Sequence, residues 1–205
     1  MSLMHSFKTA GLVGVVALAM SGAALASAKV GEPAPAFKAQ GAAGKEVNLA
    51  DYKGKYVVLE WTNEGCPFVK KHYGSGNMQK LQTAYTGKNV AWLTVFSSKP
   101  GAQGHVDAAG AQKFKTDHKA ASTAMVLDDS GAVGHLYDAK TTPNMYVIDP
   151  DGKLIYAGAI DDTPSADPAD IPKSTNFVQA ALDEAMAGKP VSTPTSKPYG
   201  CSIKY

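Results

Sequence analysis

The chain contains no arginine: all 20 of its basic residues are lysines, set against 18 Asp and Glu over 205 residues. No guanidinium is present to hold an anion with a planar fork of donors, and lysine is not its equivalent. Cysteine is almost as scarce, at two residues, Cys66 and Cys201. They are far apart in sequence, so the close cysteine pair typical of soft-metal sites is missing, and Met78, Met125 and Met145 form no metal-binding run. There is no phosphate loop, dinucleotide fingerprint, Ser-x-x-Lys or Gly-x-Ser-x-Gly motif. No cofactor and no metal are called for. Charge is near balance and the lysines are scattered, so nothing points to nucleic acid. Internal repeats are absent, and the length suggests one domain.

What is present begins with a leader-like segment. His5 and Lys8 open it, Ala10 to Met20 is an apolar run, and Ala26-Ser27-Ala28 is a small-x-small cleavage site. A secretory signal peptide is expected over residues 1–28. Its apolar run is shorter than the ~20 residues a membrane span needs, and no cysteine lies near the cleavage point for a lipid anchor. The expectation is a periplasmic or secreted protein, with no membrane attachment after cleavage. Removing 28 residues leaves 205 − 28 = 177, enough for a good core. In an oxidising compartment two cysteines ordinarily form one disulfide.

Residues 29–36 read as a Pro-rich strap and 45–49 as a short strand. The run YVVLEW, 56–61, is apolar and β-branched with one acid, which predicts a central strand buried on both faces. A helix is expected over 67–85 with Pro67 in its first turn, then a second central strand, VAWLTVF, over 90–96. Residues 97–107 are Gly-rich and irregular. Further elements are a helix at 108–119, a strand at 123–127 and a short helix within 130–139. Strands at 144–148 and 154–159 flank the turn Asp149-Pro150-Asp151-Gly152. A polar loop covers 161–174, and an amphipathic helix runs over 177–187 to Gly188. The tail from Lys189 shows neither helical nor strand period. Strands alternating with helices predict an α/β fold with a mixed central sheet flanked by helices.

The segments EWTNEGCPFVKKHY, TTPNMYVIDPDGKLIYAGAIDD and KPYGCSIKY carry a resemblance. The chain resembles the redoxins of the thioredoxin superfamily, and more closely exported peroxiredoxin-like proteins with an alkyl hydroperoxide reductase/thiol-specific antioxidant domain. It spans Val30 to about Ala187. This implies a thioredoxin-like redoxin domain over 29–188 with an N-terminal extension, and an extended tail, 189–205, carrying Cys201. It also implies thiol chemistry at Cys66, with Thr142 and a cis Pro143 facing that cysteine and leaving a backbone edge for an incoming chain. Three departures stand out. No Pro-x-x-x-Thr-x-x-Cys motif precedes Cys66, where Asn63 occupies the threonine position; the peroxide-holding arginine is missing; and Val69 stands where a second redox cysteine would be.

Cys66 before a helix beginning at Pro67 meets free N–H groups and a positive dipole end, which favour the thiolate. Lys70 and Lys71 are expected on a solvated helix face, with His72 at the surface or half-buried. The tail has the reach to cross the domain, at roughly 3.3 Å per extended residue, and Gly200 permits a sharp backbone. It is therefore expected to return Cys201 to Cys66. Linking the two closes a loop of over a hundred residues, worth about 5 kcal/mol on the chain-entropy model. The catalytic expectation is Cys66 as the attacking thiol, Cys201 as its resolving partner, and Thr142-Pro143 as the substrate edge. Partners would be protein thiols or disulfides, or a small peroxide or thiol; no oligomeric state is implied. Two alternatives remain: a non-catalytic binding module with a structural Cys66–Cys201 disulfide and a groove beside Pro143, and a copper or zinc site of Cys66, Cys201 and His72 or His135. The acidic pairs, including Asp161-Asp162, read as turn and loop chemistry.

Overall fold

The computed structural model describes Met1 and residues 27–205. The expected signal peptide therefore lies almost wholly outside the described residues. In chain order the elements are β1 (Lys38–Gly41), β2 (Glu46–Asn48), β3 (Val57–Trp61), α1 (Pro67–Gly74), α2 (Asn77–Thr86), β4 (Ala91–Phe96), α3 (Ala108–Asp117), β5 (Ala124–Leu127), α4 (Ala132–Leu136), β6 (Thr141–Thr142), β7 (Asn144–Ile148), β8 (Leu154–Gly158), α5 (Phe177–Met186) and β9 (Cys201–Ser202). Short 3-10 turns add Leu49–Tyr52 and Pro168–Lys173.

Seven strands form one sheet in the order β2-β1-β5-β4-β3-β7-β8. β3, β4 and β5 run parallel, while β7, β8, β1 and β2 are antiparallel to their neighbours. This is the mixed sheet expected. Every residue of β3, β4 and β7 is buried, as unbroken apolar runs require of strands covered on both faces. Val58, Trp92 and Met145 pack on one face with Tyr73, Leu81, Phe114 and Leu182 from the helices. Leu59, Trp61, Val95 and Tyr146 pack on the other, with Val133, Tyr137 and Phe37. The hairpin between β7 and β8 is closed by Asp149, whose carboxylate accepts from the Asp151 and Lys153 N–H groups at 3.0 and 2.8 Å.

Two local expectations need correction. The single helix over 67–85 is two helices, broken at Ser75-Gly76, where Gly76 has φ +77°. A side chain is strained in that left-handed region, so the glycine marks the break. The tail, read as lacking strand character, does pair. The Ala157 N–H donates to the Pro194 carbonyl at 3.1 Å and the Ser196 N–H to the Ala157 carbonyl at 3.2 Å, so the chain runs beside β8. It then crosses to β6, where β9 pairs antiparallel with Thr142 opposite Cys201. The N-terminal strap lies along the start of β8, with Gly31 and Leu154 N–H groups donating to the Leu154 and Glu32 carbonyls at 2.8 and 3.0 Å.

Candidate active site

Cys66 is the residue immediately before α1, with Pro67 at the first helical position and Val69 buried three residues on. Proline there sacrifices an N–H that has no helical partner anyway. The Cys66 side chain makes no capping hydrogen bond, yet the Val69 N–H lies near enough to favour the thiolate. The thiol is fully buried, at 0% exposure, and donates to the Thr142 carbonyl at 3.0 Å. The Thr142–Pro143 peptide is cis.

The tail supplies the other wall. Cys201 sits opposite Thr142 across the β6–β9 pair, and its side chain lies against that of Cys66. Gly200, at φ +135°, passes so close to Thr142 that a Cβ would run into the Thr142 carbonyl. Both cysteines stand as free thiols, Cys66 buried and Cys201 partly exposed. Burial works to raise the Cys66 pKa, but hydrogen bonding from the Cys201 side chain, the Val69 and Cys201 backbone and the Thr142 side chain outweighs it and holds the thiol below its ordinary 9.0. Cys201 moves the other way: burial and the neighbouring Cys66 push it up to about 11. Of the pair, Cys66 is therefore the thiol that ionises at the lower pH.

The tail is held on both sides of Cys201. Before it, the Tyr199 hydroxyl donates to the Asp161 carboxylate and its ring meets Phe68 edge-on at 5.6 Å. After it, the Ile203 N–H donates to the Lys140 carbonyl at 3.0 Å, and the Lys99 N–H to the Lys204 carbonyl at 2.8 Å. Tyr205 then donates to the Ala139 carbonyl at 2.6 Å and stacks on His135 at 4.0 Å. The backbone edge expected to lie open beside Pro143 is therefore occupied by this chain's own β9.

Two buried charge sites went unrecognised in the sequence. Lys71 is 1% and His72 0% exposed, not solvated, and Asp161, read as loop chemistry, is 2% exposed. The Lys71 ammonium donates to the Thr163 carbonyl at 3.0 Å and lies 3.5 Å from Asp161. His72 accepts at Nδ1 from the Asn77 amide at 2.8 Å, leaving Nε2 3.7 Å from Asp161 and without a hydrogen bond. Burial pushes its pKa down to about 4, so the ring is neutral. Lys70 is exposed, as expected. The second site is Glu60 on β3, bonded by Tyr73 Oη at 2.7 Å, Trp92 Nε1 at 2.7 Å and Gln82 Nε2 at 3.0 Å. Burial raises its carboxyl to about 7 against the opposing hydrogen bonds. A lone acid in a doubly buried strand was the available signal, since such a group must find partners. For Lys71 the helix pattern held no comparable signal.

The proposed copper or zinc set is not assembled: His135 stacks on Tyr205 and His72 faces Asp161. Among the described residues no three His, Cys, Asp or Glu side chains are grouped to hold a metal ion. The 161–174 loop does border a groove of about 420 Å³, lined by Asp161, Asp162, Pro164, Phe177 and tail residues including Tyr199. Also among the described residues, no helix is long and apolar enough to cross a membrane.

Comparison with known proteins agrees with this fold. A Bacillus subtilis protein named Thiol-disulfide oxidoreductase ResA is 26% identical over 125 residues, covering 61% of this chain and 64% of that protein. The chain thus spans just under two thirds of ResA's length. An uncharacterized conserved protein from Geobacillus kaustophilus superposes with a TM-score of 0.74 at 28% identity, covering 86% of this chain and 92% of that one. A putative thiol:disulfide interchange protein DsbE from Chlorobium tepidum gives 0.53 at 25% identity, covering 64% and 85%. Residues 30–157 match the AhpC/TSA family, and the chain belongs to that family, as a redoxin of the thioredoxin superfamily.

Proposed function

We propose that this protein is an exported thiol–disulfide oxidoreductase whose exchanging pair is Cys66 and Cys201. The observation that carries the reading is the tail's return: β9 places Cys201 opposite Thr142, against the buried Cys66 at the mouth of α1. The similarity to proteins named for thiol–disulfide exchange supports it. In the oxidising direction, both thiols give up a proton and an electron to a partner disulfide, which leaves as two thiols while the Cys66–Cys201 bond forms. Thr142-Pro143 forms the wall of the site, and partners are protein or small-molecule thiols and disulfides. Export rests on the apolar run of residues 10–20 and the Ala26-Ser27-Ala28 site, and the domain takes up the chain after residue 28. A peroxidase reading has no guanidinium to hold a peroxide.

The burial of Cys66 and the two-sided anchoring of the tail favour a second reading, a structural staple. The reduction potential separates the two, by mass-resolved thiol trapping across a dithiothreitol gradient. A working pair titrates above roughly −250 mV and Cys66→Ser loses exchange activity; a staple titrates below roughly −300 mV and its reduction costs much of the stability.

A further inference from the structure

We infer that the Cys66–Cys201 pair is entered from the Cys201 side: an incoming thiolate forms its mixed disulfide with Cys201 and expels Cys66. This deepens the exchange reading above and rests on it. It also reverses the order expected from the sequence, in which Cys66 meets the partner.

Access is the first ground. Cys66 has no exposed surface: its sulfur is enclosed by the Thr142 carbonyl at 3.0 Å, the first turn of α1 and Cys201. Cys201 is partly exposed. In-line attack needs an open face on the sulfur attacked, and of the two cysteines only Cys201 has surface exposed with the fold intact. The second ground is the tail's fixation. Tyr199 on Asp161 and the Ile203, Lys204 and Tyr205 contacts pin the strand on both sides of Cys201. Because β9 already fills the edge of β6, a partner chain cannot add a strand there while the tail is in place. It meets Cys201 from outside instead, beside Lys204, whose positive charge acts on that sulfur and favours an approaching anion. The third ground is the leaving group. The better leaving thiolate departs faster, and the Val69 and Cys201 backbone and the Thr142 side chain, which favour the Cys66 thiolate, stay beside it when the Cys201 sulfur is in the mixed disulfide.

The step balances. A thiolate RS⁻ attacks the Cys201 sulfur, the RS–S–Cys201 bond forms, the Cys66–Cys201 bond breaks, and its electron pair leaves on Cys66. A second thiolate then attacks the R sulfur, giving RSSR and the Cys201 thiolate. The pair has gained two electrons and two thiols have become a disulfide. In the oxidising direction Cys201 bears the mixed disulfide and the Cys66 thiolate closes the pair.

The test uses the full mature chain, air-oxidised, its disulfide verified by intact mass. It is exposed to glutathione, quenched in acid at the earliest times and mapped by peptide mass. A second arm uses a thioredoxin retaining only its attacking cysteine, and shows whether a protein thiol gains the same access as a small one. The expected result is mixed disulfide on Cys201 in at least about tenfold excess over Cys66 in every arm that forms an adduct. Adducts on Cys66, or equal amounts on the two, overturn the order of attack and leave the exchanging pair intact. A chain that purifies with two free thiols, or a disulfide that neither thiol opens, overturns both the order and the exchange reading.

Discussion

Thr142 serves both cysteines: its carbonyl accepts the Cys66 thiol at 3.0 Å, and its backbone faces Cys201 across the β6–β9 pair. One residue of β6 therefore sets how the tail cysteine meets the core cysteine. Whatever moves β9 away from Thr142 should expose Cys66, without disturbing the seven-stranded sheet.

Gly200→Val tests that relation. The native φ of +135° strains any side chain, and its Cβ would strike the Thr142 carbonyl. Strain on the order of 1–3 kcal/mol is enough to displace a two-residue strand. Iodoacetamide labelling of Cys66 in the reduced protein should accelerate at least about tenfold, read by peptide mass, with the thermal midpoint of the domain little changed. Unchanged protection of Cys66 would mean that something other than β9 covers it.

The two thiols should titrate apart. Ultraviolet thiolate absorbance of the reduced protein should show one step below the ordinary 9.0, for Cys66, and one near 11, for Cys201. Cys201→Ala removes the leading hydrogen bond that favours the Cys66 thiolate, so the first step should move to higher pH. Cys201→Ser keeps a donor there and should move it less.

Stability against pH carries two opposed contributions in one window. Glu60 is raised from 4.5 to about 7 in the fold, so its contribution is fully present below pH 4.5 and is lost as pH rises to 7. His72 is lowered from 6.5 to about 4, so its contribution is fully present above pH 6.5 and is lost as pH falls to 4. Each amounts to about 3 kcal/mol from the size of the shift, and together they flatten the profile. Glu60→Gln should unmask the loss toward acid and His72→Gln the loss toward neutral pH. Urea midpoints across pH 4–7 check this; parallel profiles for both variants and the parent would refute it.

Removing Asp161 leaves Lys71 buried without its counter-charge. Asp161→Asn should cost about 3–5 kcal/mol in denaturant unfolding. Restoring the balance with Lys71→Met in the same chain should recover most of it. Tyr199→Phe, which loses only the hydroxyl on Asp161, should cost roughly 1.5–3 kcal/mol and should speed Cys66 labelling, because it releases the tail upstream of Cys201.

Much of the framework was legible in the linear chain. The unbroken run 56–61 and its counterpart 90–96 are buried strands for the reason their composition suggests, since both faces must be covered. Asp149-Pro150-Asp151-Gly152 closes the β7–β8 hairpin, and the proline after Thr142 is cis. Cys66 could be placed before a helix because Pro67 follows it. The helix break at Ser75-Gly76 was written in the chain but outweighed by the apolar period on either side. Lys71 and His72 were misplaced because helical position says which residues share a face. It does not say what lies against that face.

Sequence alone determined the central strands β3, β4, β5, β7 and β8, the helix that begins at Pro67, the hairpin, and the supply of two thiols with no guanidinium beside them. These follow from local pattern and composition, which act over a few residues. Tertiary structure alone decided that the tail binds the edge of β6, that Cys66 is covered while Cys201 is reached, and that Lys71, His72 and Asp161 share a buried site with Tyr199. Those contacts join segments 38 to 135 residues apart, and their burial sets the charges and exposures on which thiol chemistry depends.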